Sequence, residues 1–201
     1  AEETRHAVGS PAYMSPEQLD GATRYFPLVG IVVAAVSCSV LSEAALCLPF
    51  SVAVLLAMLA SVMVTGAFHE DGLADSADGL FGGWTVQDRL RIMKDSRSGV
   101  FGVLALIFIL GIKFASLLAL GWPAAIGALL FGHALSRCCS VWVMQRLPYV
   151  REDETSRAKP IARSVSGASL VIASLTALLP GLLLAWWWHD PLRVAAGAAA
   201  A

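Results

Sequence analysis

The sequence predicts an all-α, polytopic helical membrane protein, a single integral-membrane domain over residues 1–201 with at least five transmembrane helices. Three observations carry this. The chain is 57% hydrophobic and 14% charged, with a mean hydropathy of +0.70, whereas soluble domains carry about 25% charged residues. Apolar runs close to 20 residues, the length that crosses about 30 Å of hydrocarbon, recur along it. The basic residues also fall almost entirely on one side of the topology that these runs define.

In chain order, the first span is expected at about 28–48 and the second at about 49–68, with a turn at Pro49 that leaves almost no loop between them. A long polar connection from Glu70 to Gly99 follows. The third span, about 100–120, is joined to the fourth, about 122–144, through Gly121-Trp122-Pro123, which makes a second tight helical hairpin. After a connection over 145–167, the fifth span, about 168–188, finishes in Trp186-Trp187-Trp188, an aromatic cluster suited to the water interface.

The amino-terminal segment and the two long connections hold eleven of the 14 Lys and Arg residues; Lys113 and Arg137 fall inside spans and Arg193 lies on the opposite side. The positive-inside rule then sets the amino terminus and both connections in the cytoplasm. A net charge of -1 with scattered basic residues gives no surface for nucleic acid. Cys38, Cys47, Cys138 and Cys139 lack CxxC spacing and read as reduced packing residues. The polar opening and the short apolar stretch 192–201 suggest that the chain continues at both ends.

The chemistry concentrates in Phe68-His-Glu-Asp-Gly-Leu-Ala-Asp-Ser-Ala-Asp-Gly-Leu-Phe-Gly-Gly83, where four carboxylates occur within nine residues just after a span. On a helix Asp71, Asp75 and Asp78 fall at i, i+4 and i+7, within a sector of roughly 60°. Like charges so close repel, so a cation is expected among them. Mg²⁺, a hard cation that binds through one or two carboxylates and substrate phosphate oxygens, suits this donor set. Glu70 points about 100° away and reads as outer or solvated, while His69 is a candidate base near neutral pH. Downstream, Asp95 stands between Lys94 and Arg97, and Gly99 and Gly102 allow close backbone approach. Arg grips phosphate oxygens bidentately and Lys as a point charge. The bland alternative is a solvated face with weak surface ion pairs; the one-sided aspartate spacing argues against it.

Residues 68–83, followed by Ile92-Met-Lys-Asp-Ser-Arg-Ser-Gly-Val-Phe-Gly-Val-Leu-Ala-Leu106, resemble the signature of the cobalamin synthase family, the adenosylcobinamide-GDP ribazoletransferases of cobalamin biosynthesis. The likeness extends to Arg24-Tyr-Phe-Pro-Leu-Val-Gly30, Ser136-Arg137 and Leu147-Pro-Tyr-Val-Arg151. An amino-terminal apolar segment and a Gly-Gly-x-Thr-Gly-Asp motif usual in the family are absent from the residues here.

The resemblance implies a transferase that joins adenosylcobinamide-GDP to α-ribazole, or its 5′-phosphate, with release of GMP. Within that expectation Asp71, Asp75 and Asp78 hold the metal, and Asp95 binds metal or accepts the hydroxyl proton. Arg97 and Lys94 stabilise phosphoryl oxygens, and Tyr149, Arg151 and Lys159 hold a nucleotide or α-ribazole phosphate. Two other classes fit parts of the pattern. Asp75-Ser-Ala-Asp78-Gly79 looks like the opening of the CDP-alcohol phosphotransferase motif but continues into Gly82-Gly83. An ion transporter would use intramembrane charges, yet would place its acids near the midplane. An ionised group in a span is costly. Arg137 is therefore expected to meet a phosphate or carboxylate, Lys113 to pair with Glu43, and His133 to be a hydrogen-bonded core histidine.

Overall fold

The structure, a computed structural model, describes residues 21–95, 97–147 and 165–188, with 187 and 188 by backbone alone. Among the described residues there are seven principal helices and no strand: α1 (Phe26–Ala45), α2 (Phe50–Thr65), α3 (Phe68–Gly82), α4 (Val86–Ile92), α5 (Val100–Leu120), α6 (Ala124–Arg146) and α7 (Gly167–Trp188). The all-α expectation holds. The segments Gly21–Ala45, Val100–Leu120, Ala124–Arg146 and Gly167–Trp186 are each long and apolar enough to cross a membrane.

The second span differs from expectation. Instead of running over 49–68, α2 stops at Thr65 after 16 residues, about 24 Å at the α-helical rise. Gly66 then takes a left-handed conformation (φ 63), Ala67 follows it at φ 57, and the chain resumes as α3 at an angle of 87° to α2. The stop is a glycine C-cap, with the amides of Gly66 and Ala67 returning to the Met63 and Val62 carbonyls.

The expected loop from Glu70 to Gly99 is mostly helical. Leu73, Ala74, Ala77 and Leu80 give α3 strong helix formers. α4 opens with a threonine N-cap: the Asp88 amide donates to Thr85 Oγ1 at 3.1 Å, and the Thr85 hydroxyl donates to the Asp88 carboxylate at 2.8 Å. The signal was readable in Thr85-Val-Gln-Asp88.

The chain divides into two compact units. The unit over 33–129 buries Leu41, Ala53, Val54, Ala57, Ala74, Ala77, Leu117 and Ala125. Within it α3 packs along α5, α4 folds back on α3, and α2 lies against both α3 and α5. Gly79 and Gly83 make the fold-back of α4 possible: a Cβ at Gly79 would lie 2.6 Å from Met93 Cγ, and one at Gly83 would lie 2.8 Å from the Arg89 amide nitrogen. Arg89 Nε closes the corner by donating to the Gly83 carbonyl at 3.0 Å.

The other unit comprises the chain up to residue 32 and from residue 130 onward. Ala134, Val141, Ala173 and Ala177 are buried there, small residues that let helices approach closely. Trp142 Nε1 on α6 donates to Ser174 Oγ on α7 at 3.1 Å. Gly30 on α1 lies so close to α6 that a Cβ would meet the His133 carbonyl. Hydroxyls in apolar helices are satisfied locally; Ser37, Ser42, Thr65, Ser174 and Thr176 each donate to the carbonyl four residues earlier. All four cysteines are free, Cys38 and Cys138 buried as packing residues but Cys47 and Cys139 exposed.

Candidate active site on the helix after the bend

α3 carries the acidic motif. Its amino end has no side-chain cap, and Glu70 and Asp71 in the first turn offset the positive end of the helix dipole. Asp71, Asp75 and Asp78 follow the predicted stripe, but their surroundings differ at each turn. Asp71 is exposed, Asp75 half-buried, and Asp78 only 7% exposed.

Asp78 is committed to the backbone of α5. Its Oδ2 accepts from the Gly99 amide at 2.6 Å and its Oδ1 from the Gly102 amide at 2.8 Å. Gly99 is the N-cap residue of α5 and has no side chain to offer, so the carboxylate that satisfies these helix-start amides comes from α3. A Cβ at either glycine would run into that carboxylate, and at Gly102 it would also lie 3.0 Å from the Ala74 carbonyl oxygen. The close approach expected at Gly99 and Gly102 is therefore to an acid on the neighbouring helix.

The three aspartates therefore stand in three different surroundings. Among the described residues no three His, Cys, Asp or Glu side chains are grouped to hold a metal ion. Asp78 has turned both oxygens to backbone donors, while Asp71 and Asp75 stand at i and i+4 on the same helix. Two carboxylates are what Mg²⁺ commonly takes from protein when substrate phosphates supply further oxygens, so the narrower donor set still suits such an ion. Glu70, expected to be outer or solvated, is half-buried, with Oε2 enclosed and without a hydrogen bond among the described residues. An enclosed carboxylate oxygen without a donor is costly, and a nearby cation relieves that cost.

Asp95 and Arg97 hold each other. Arg97 Nη2 donates to Asp95 Oδ2 at 2.7 Å and Nε to Oδ1 at 3.0 Å, while the Arg97 amide closes onto Oδ1 at 3.2 Å. The Arg97 side-chain hydrogen bond, followed by the backbone one, holds the Asp95 carboxyl below its ordinary 3.8, and the guanidinium is raised in return. A weakened base is poorly matched to taking a proton near neutrality. The expectation that Asp95 accepts the hydroxyl proton is therefore not supported by this geometry, and Asp95 instead orients Arg97.

The pair also predicts a pH effect. A carboxyl with a depressed folded-state pKa stabilises the fold above its unfolded pKa, and that contribution disappears as pH falls through the lower folded value. Wild type should then be slightly more stable than Arg97→Ala by a constant margin above about pH 4, small because exposed pairs are screened, and the two should converge as pH falls below that value. A margin that changes between pH 5 and pH 8 in circular-dichroism titrations would assign the coupling to another group.

His69 is exposed at the start of α3, its ring edge-on to Phe68 at 5.6 Å, and Lys94 is exposed after α4. Arg137 belongs to the other unit. It is buried, with Nη1 donating to the His133 carbonyl at 3.2 Å and lying 3.3 Å from His133 Nδ1. His133 thus contributes to an intrahelical polar contact, and Lys113 is half-buried on α5. Tyr149, Arg151 and Lys159 lie outside the described residues.

A stack of apolar helices, one of them broken so that an acidic helix turns aside beside a charged turn, defines a polytopic membrane protein with a polar site at the end of a span. The chain belongs to the cobalamin-5-phosphate synthase family, which it matches over residues 4–201. It is 52% identical over 163 residues to an adenosylcobinamide-GDP ribazoletransferase of Shewanella frigidimarina, covering 80% of this chain and 62% of the relative. Relatives of the same name from Shewanella woodyi and Shewanella piezotolerans are 46% identical over 166 residues and 42% over 198, covering 81% and 88% of this chain and 65% and 76% of theirs. The chain thus spans less than two thirds of the length of the first two. No solved structure matches it.

Proposed function

We propose that the protein to which this chain belongs transfers the cobinamide-phosphate moiety of adenosylcobinamide-GDP to α-ribazole, or its 5′-phosphate. The products are adenosylcobalamin, or its 5′-phosphate, and GMP. The observation that carries the reading is the 42–52% identity to relatives bearing the name of this activity, across 80–88% of the chain. The site geometry is compatible with it.

In the reaction a ribose hydroxyl oxygen of α-ribazole forms a bond to the cobinamide-linked phosphorus. The bond from that phosphorus to the bridging oxygen breaks, GMP leaves with the electron pair, and the hydroxyl proton is lost to a base. Asp71 and Asp75 are the residues that would hold Mg²⁺, which when bound neutralises charge on pyrophosphate oxygens. Arg97, oriented by Asp95, and the exposed Lys94 supply positive charge for the phosphoryl oxygens. Asp78 ties Gly99, two residues after Arg97, to α3. His69, exposed at the head of the same helix, is the candidate proton acceptor. We assign Arg137, Tyr149, Arg151 and Lys159 to substrate contacts and the acidic face to the cytoplasmic side of the inner membrane, on the positive-inside distribution.

The test is release of GMP from adenosylcobinamide-GDP by the full-length protein in liposomes. Release should require α-ribazole or its phosphate, stop on chelation of divalent cations, and return with Mg²⁺. Release that persists unchanged in excess chelator would remove the metal from the proposal. Absence of α-ribazole-dependent release from folded full-length protein would remove the transferase assignment.

A further inference from the structure

We infer that α3 lies along the membrane–water interface, anchored among lipid headgroups by an aromatic cluster at its carboxyl end. α2 is about 24 Å long, nearly the thickness of the hydrocarbon, and spans tilt by about 20° on average. A helix turned 87° from such a span runs close to the bilayer plane. Its level is set independently by α5, because Asp78 in the second half of α3 bonds the amides of Gly99 and Gly102, where the next span begins. α3 therefore lies at the depth at which α5 enters the membrane.

The side chains beyond that point are apolar and uncovered. Trp84 is 95% exposed and Phe81 71%, with Leu80, Val86 and Val100 also exposed around them. The Phe81 ring lies 5.6 Å from Phe101 on the first turn of α5. Phe101 continues into the exposed flank of that helix through Leu104, Ile107 and Phe108. Only Gly102 and Leu117 of α5 are buried, so this flank is the surface a span turns to lipid. The aromatic patch is a continuation of the lipid-facing surface and not an island on a wet one. Charged Asp88, Arg89, Arg91 and Lys94 follow immediately on α4 and its end, which keeps the segment out of the hydrocarbon. Tryptophan beside charge, above an apolar flank, is the pattern of an interfacial anchor. In water the same patch would leave apolar area exposed at about 25 cal/mol per Å². This inference concerns membrane depth and stands whether or not the proposed transferase reaction is correct.

The test uses the full-length protein in phosphatidylcholine liposomes and the fluorescence difference between wild type and Trp84→Phe, a change at an exposed site that leaves packing alone. Lipids brominated close to the glycerol should quench the Trp84 component about twofold more than lipids brominated near the chain end, with little quenching by iodide. Phe81→Trp in the Trp84→Phe background should report the same shallow depth. Iodide quenching as strong as for free tryptophan, with no effect of brominated lipid, would show a face turned to water or to a soluble partner and overturn the inference. Dominant quenching by the deep bromines would make α3 part of a bent span and overturn it equally.

Discussion

Asp75→Asn should lower GMP release by about three orders of magnitude while leaving the helical fold intact. Mg²⁺ held by this pair would supply several kcal/mol of charge stabilisation, and each 1.4 kcal/mol or so is tenfold in rate. Asparagine keeps the size of the half-buried side chain and removes its charge, so the change isolates electrostatics from packing. Asp71→Asn, at the exposed partner position, should act in the same direction and raise the Mg²⁺ concentration needed for half-maximal release. Initial rates against Mg²⁺ for the three proteins in liposomes make the comparison. Full activity with an unchanged Mg²⁺ requirement in Asp75→Asn would end the two-carboxylate assignment.

Asp78→Ala should act chiefly on stability, by about 2–4 kcal/mol, because it removes two hydrogen bonds to a buried charged acceptor and strands the amides of Gly99 and Gly102. Asp78→Asn retains one acceptor oxygen and should lose about half as much. Gly102→Ala attacks the same contact from the other side, since its Cβ would enter the space of the carboxylate. Unfolding in detergent, followed by circular dichroism, gives the order wild type, Asp78→Asn, Asp78→Ala in falling stability. Residual activity in Asp78→Asn should keep the wild-type Mg²⁺ midpoint, in contrast to Asp75→Asn. A wild-type unfolding midpoint with a displaced Mg²⁺ midpoint would return Asp78 to the role of ligand.

The contrast between Asp75 and Asp78 shows how far spacing could be read. The i, i+4, i+7 pattern correctly placed the three aspartates on one helical stripe, because helical azimuth follows from residue number alone. It could not say which of them would meet another helix. That depended on α5 arriving with two glycines at its start, whose bare amides draw in the nearest carboxylate. Gly99 and Gly102 were legible as points of close approach, but what approached was not. Asp95 and Arg97 are a similar case: their proximity was plain, yet the bidentate pairing that weakens Asp95 as a base arises from the conformation of the turn.

The break at Gly66 was hidden by composition, since hydropathy continues through Phe68 and a sliding window sees no corner. The N-cap at Thr85 was visible, but a loop assignment driven by charge passed over it.

Apolar run length was enough, on the sequence alone, to establish a many-helix membrane protein, because partitioning between water and lipid depends on composition. The partners of Asp78, the right angle before α3 and the pairing of Asp95 with Arg97 were decided only by tertiary structure. Each depends on where a second segment's backbone comes to rest, and that is settled by packing geometry, which no local pattern of residues encodes.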